Sequence, residues 1–105
     1  MLVGCSERER ISVTNMASTM VTMIVSNPML PSTDVSSLRL VSCGGSPLPP
    51  ATVVAAIAAF RCQFFVSYGM TECCGKIAMS LLPEGGHVLP AEEQLALICT
   101  SGRCA

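Results

Sequence analysis

Residues 38–68 constrain the fold more than any other stretch of the chain. Leu38-Arg39-Leu40-Val41-Ser42-Cys43 reads as a short strand closed by Gly44-Gly45. Pro49-Pro50 opens a helix over residues 51–60, because proline suits a first helical turn. Gln63-Phe64-Phe65-Val66-Ser67-Tyr68 reads as a second strand closed by Gly69. Strand, glycine turn, helix and strand in about 30 residues make a βαβ unit, with parallel strands and a right-handed crossover. The helix is apolar almost throughout, which predicts burial on more than one side.

The flanking segments extend this pattern. Met16, Met20, Met23 and Ile24 share one face of a helical period, so residues 14–26 are expected to form a helix ended by Asn27-Pro28. Residues 28–37 read as a loop. Lys76 to Leu82 reads as a third strand or extended segment, Pro83-Glu84-Gly85-Gly86 as a turn, and Pro90 to about Cys99 as a helix. The fold class is therefore α/β, a partial parallel sheet of two or three strands with flanking helices. Parallel strands normally need helices on both faces. About three helices are available, so the chain reads as a cut-out from a larger sheet.

Composition points the same way and narrows function. The chain has 105 residues, half of them hydrophobic and only 12% charged. So small a domain usually carries more charge on its surface. The net charge is -1 and no basic run occurs, which argues against nucleic-acid binding. Seven cysteines without a C-x-x-C pair, beside a single histidine, His87, favour neither a zinc site nor a disulfide framework. Reduced thiols packing as small hydrophobes, Cys73 and Cys74 included, are expected in a cytoplasmic protein. The uncharged stretch 11–33 holds too many polar residues and prolines for a membrane span.

Two glycine turns leave the carboxyl ends of neighbouring parallel strands, where open α/β sheets bind ligands. Tyr68 offers a flat face, Thr71 a hydroxyl for a phosphate, and Glu72 a hard oxygen suited to Mg²⁺. Spacing alone makes this a weak signal for a nucleotide site.

Gly44-Gly45-Ser46-Pro47-Leu48-Pro49, followed by Tyr68-Gly69-Met70-Thr71-Glu72, resembles the AMP-forming adenylating superfamily. That superfamily comprises acyl-CoA and aryl-CoA synthetases, luciferases and peptide-synthetase adenylation domains. The resemblance covers residues 10–103, a partial AMP-binding domain, with 1–9 and 104–105 as tails. It implies that Gly45, Ser46 and Pro47 line the adenine pocket and that Tyr68, after Ser67, stacks on adenine. Gly69 and Met70 would lie between nucleotide and acyl group, Thr71 would bind the α-phosphate, and Glu72 would bind Mg²⁺. Thr71 and Glu72 are thus the catalytic candidates. The implied reaction joins a small carboxylic acid to ATP, then passes the acyl group to coenzyme A.

The departures are equally specific. The family's phosphate loop, ribose-binding aspartate and catalytic lysine are not in this sequence. Lys76 is read as an exposed solvated side chain. Ser18 and Cys104 stand where the family usually has proline, the latter hinting at a truncated or mis-spliced product. The chain is expected to be inactive alone. The alternative is a non-catalytic α/β module that binds a nucleotide or a protein.

Overall fold

The computed structural model describes residues 2–82, 90–100 and 102–104. The expected turn at Pro83-Glu84-Gly85-Gly86 and His87 lie outside them. Helix α1 (Leu2–Arg8) precedes strand β1 (Val13–Ala17), helix α2 (Ser18–Val25) and a short 3-10 turn at Leu30–Ser32. Strand β2 (Leu40–Gly44), helix α3 (Pro50–Phe60) and strand β3 (Gln63–Met70) form the expected βαβ unit. A 3-10 turn at Thr71–Cys73, strand β4 (Gly75–Met79), helix α4 (Ala91–Ile98) and strand β5 (Arg103–Cys104) follow. The fold class is α/β, as expected.

The strands form one sheet in the order β1-β2-β3-β4-β5. β1, β2 and β3 are parallel; β4 and β5 join antiparallel. The sheet is thus wider and more mixed than the sequence suggests. β1 is the main correction, since the sequence pattern predicts a helix from residue 14. The residues of β1 alternate in exposure, as a strand's do, and they pair residue for residue with Leu40–Gly44. A helical period and a strand period are both readable in so short a run; the free edge of β2 decides between them by offering a complete ladder of hydrogen-bonding groups.

Helix α2 consequently starts at Ser18 and buries a different face. Val21 is wholly buried and Ile24 nearly so, whereas Met23 is 73% exposed. Met16 is buried, but as a strand residue. On α3, Val53, Ala56 and Phe60 are buried and Val54 is 50% exposed. That helix is covered on one side, not several, because nothing among the described residues lies beyond it.

The core lies on one side of the sheet. Met16, Val41, Cys43 and Phe64 meet Val21 and Ile24 of α2, Val53, Ala56 and Phe60 of α3, and Ile98 of α4. Burying a side chain of this size contributes roughly 1.5–3 kcal/mol. On the opposite face Val13, Asn15 and Ala17 of β1 are exposed, whereas Ser42 and Ser67 are buried. Phe65, alternate to Phe64 on β3, is buried on that face and stands outside the core cluster.

The thiols depart from expectation. All seven cysteines are free, yet only Cys43 is buried; Cys73, Cys74, Cys99 and Cys104 are exposed. Cys73 and Cys74 sit in the turn between β3 and β4, which no described element covers.

Candidate nucleotide site

The parallel register brings three strand ends level. Ala17 pairs with Gly44, and Gly44 with Ser67. The parallel pairing therefore ends before Ser18, Gly45 and Tyr68, side by side, with β3 continuing to Met70 against β4 alone; this is the crevice where open α/β sheets bind ligands.

Two glycines shape this crevice. Gly45 has φ +99°, a left-handed conformation that side chains resist. Gly69 has no room for a side chain: a Cβ there would stand 2.1 Å from the carbonyl oxygen of Gly75. The glycine turn is also tied down from α2. The Ser18 hydroxyl, itself buried, donates to the Ser46 carbonyl at 2.6 Å and lies 3.6 Å from Cys43 Sγ. Burial pushes the Cys43 thiol up from its ordinary value, partly offset by its contact with Ser18.

Between the turns lies a cavity of about 340 Å³, lined by Gly45, Ser46, Pro47, Ser67, Tyr68 and Gly69 together with Leu48 and Val66. Six of the residues named from sequence are thus brought together. Ser67 contributes wall rather than a free donor, because its hydroxyl donates to the Cys43 carbonyl at 3.2 Å. Tyr68 is 46% exposed and lines the cavity. Met70, Thr71 and Glu72 do not line the cavity; they follow it along the chain and are exposed.

Two further lining residues, Cys99 and Thr100, escape sequence reasoning. They end α4, whose packing through Ile98 carries them to the cavity. No local motif marks them. Burial pushes the Cys99 thiol up as well. Ser18, missed as a site residue, had one signal, its departure from the usual proline.

Among the described residues, no group of three or more His, Cys, Asp or Glu could hold a metal ion. A metal at Glu72 would take its other ligands from phosphates and water, which is how Mg²⁺ is commonly held.

The arrangement is a small nucleotide-sized cleft on an α/β sheet. The chain belongs to the AMP-binding enzyme family, whose model matches residues 1–103. No curated protein matches it significantly. Among solved structures, it is similar to a mutant of the amide bond synthetase McbA from Marinactinospora thermotolerans, with 30% identity and a TM-score of 0.77 over 98% of this chain and 20% of that one. The anthranilate CoA ligase AuaEII, in complex with anthranoyl-AMP, shares the fold at 18% identity and a TM-score of 0.78, over 98% of this chain and 18% of that one. The N-terminal domain of FACL13 from Mycobacterium tuberculosis does so at 21% identity and a TM-score of 0.74, over 98% of this chain and 24% of that one. The chain spans about a fifth of the length of these proteins. No helix among the described residues is long and apolar enough to cross a membrane.

Proposed function

We propose that this chain carries one wall of the ATP site of an acyl-CoA synthetase-like ligase, and that alone it binds nucleotide without turning over. The observation that carries the reading is the cavity uniting the Gly45–Pro47 turn with Ser67–Gly69. The adenine ring would stack on Tyr68, with the backbone of Gly45, Ser46 and Pro47 on its other side. Open backbone at Gly45 allows that approach, because no side chain intervenes.

Thr71 would donate its hydroxyl to the α-phosphate, and the Glu72 carboxylate would hold Mg²⁺ that accompanies ATP. The metal would supply positive charge to the phosphates. In the reaction, a carboxylate oxygen of the acid bonds to the α-phosphorus and pyrophosphate leaves with the broken P–O bond. A thiol, coenzyme A in this reading, then takes the acyl group and releases AMP. Fixed donors aimed at the developing charge are the main source of such catalysis. Here Thr71 and Glu72 are exposed, so water competes at both. That supports binding without turnover. The free thiols suit a reducing compartment such as the cytoplasm.

Calorimetric titration of AMP and of Mg-ATP into the wild type, Tyr68→Ala and Glu72→Ala tests the reading. Tyr68→Ala is expected to weaken both ligands about tenfold, a stacking loss of about 1–3 kcal/mol. Glu72→Ala should weaken Mg-ATP alone. Absence of AMP binding to the wild type, or robust pyrophosphate release with ATP and carboxylic acids, would overturn it.

A further inference from the structure

The face of the sheet opposite the core carries a cation that the nucleotide site does not use. Lys76 leaves β4 opposite Gly69 and reaches back across the face to the first two strands. Its Nζ donates to Asn15 Oδ1 at 3.2 Å and to Ser42 Oγ at 3.2 Å, and stands 5.7 Å from the centroid of the Phe65 ring. Ser42 Oγ donates in turn to the same Asn15 Oδ1 at 2.5 Å. Lys76 is thus exposed, as its sequence context suggests, but its ammonium is anchored to neighbouring side chains.

Every one of these partners is neutral. The ion pairs among the described residues are Arg8 with Glu9 and Arg10 with Asp34, so no carboxylate among them answers Lys76. An ammonium has three N–H donors, and two are engaged. The Asn15 oxygen accepts both Ser42 and Lys76, which fixes the amide's orientation and leaves its N–H₂ without a partner among the described residues. One ammonium donor and one amide donor thus stand unspent on adjacent groups. Such a pair matches the two oxygens of a carboxylate.

We propose that Lys76 and Asn15 bind a second, non-reacting carboxylate on the acid substrate. This rests on the adenylation reading for the position of the first. Lys76 pairs with Gly69, two steps or about 7 Å before Thr71 at ~3.3 Å per residue, and its side chain reaches back towards Phe65. Its anion seat is therefore on the order of 10 Å back from Thr71. That separation excludes the carboxylate being activated and fits the far end of a medium-chain dicarboxylic acid. The methylenes between would run along the face past Ser67 and Gly69, beside Met79, which pairs with Ser67.

Azelate and nonanoate separate the outcomes, since they share a chain length and differ in the terminal carboxylate. Each is titrated into the full chain, wild type and Lys76→Met, Lys76→Arg and Asn15→Ala, followed by amide NMR shifts, with AMP titrated in parallel. Azelate is expected to bind at least about tenfold tighter than nonanoate, the range of a charge-assisted hydrogen bond. Lys76→Met should abolish that preference, Asn15→Ala should reduce it, and Lys76→Arg should keep most of it. AMP affinity should stay constant across these variants, which also reports that they fold. Equal binding of the two acids by the wild type, or an undiminished preference in Lys76→Met, overturns the proposal. Loss of AMP binding throughout, with the azelate preference intact, overturns the nucleotide reading and leaves the subsite standing.

Discussion

The Ser18 hydroxyl donates to the carbonyl of Ser46 at 2.6 Å, joining the start of α2 to the glycine turn after β2. Ser18 stands at the first position of α2, where a proline would also be tolerated. Ser18→Ala is expected to cost about 1 kcal/mol, the net worth of one such bond. Urea unfolding checks this. AMP affinity should fall with it, because the turn that faces the nucleotide loses its tether. Ser18→Pro should lose the tether but keep the helix; collapse of helical content in that variant would contradict the placement.

The two site glycines should respond unequally to alanine. At Gly45 the space is open, and only the left-handed backbone resists, costing about 1–2 kcal/mol. At Gly69 the new methyl meets backbone at 2.1 Å, so β3 and β4 must part. The expected loss for Gly69→Ala is about 3 kcal/mol or more, at the upper end of overpacking. Denaturant midpoints of the two variants decide it, and the reverse order would count against this site geometry.

Helix α2 offers a test of its corrected face. Ile24→Ala removes a buried core contact and should cost about 2–4 kcal/mol. Met23→Ala touches an exposed side chain and should stay within about 0.5 kcal/mol. Comparable losses would restore the methionine face that the sequence alone suggests.

Buried Cys43 and half-buried Cys62 set an alkaline limit. Burial raises Cys43 and Cys62 above the ordinary thiol value. The folded state therefore keeps protons that the unfolded chain releases above about pH 9, and stability falls as pH rises from there. Below that value both states are protonated and the thiols contribute no pH dependence. Urea midpoints between pH 7 and 10 should decline at the alkaline end, less steeply in the Cys43→Ala, Cys62→Ala double variant. Parallel curves for the two proteins would show that the thiols are not responsible.

Much of the nucleotide site was legible because it is written locally. Gly44-Gly45-Ser46-Pro47 and Tyr68-Gly69 are contiguous strings with glycines that tight turns require, and the βαβ spacing forces their strands to be neighbours. From that the cavity follows with few further choices. What the sequence could not supply were contributions from residues distant in the chain. Cys99 reaches the cavity only because Ile98 packs into the core. Lys76 lies across Asn15 and Ser42 only because β1 joins β2 as a third parallel strand, where the sequence pattern predicts a helix.

By itself, then, the sequence determined the α/β class, the two glycine turns and the family, since each rests on residues close along the chain. The tertiary structure alone decided which face of α2 is buried, which thiols are exposed, and which side chains beyond the motifs border the cavity and the face opposite the core. Those outcomes depend on pairing at a free strand edge and on packing against one side of the sheet, and neither leaves a local mark.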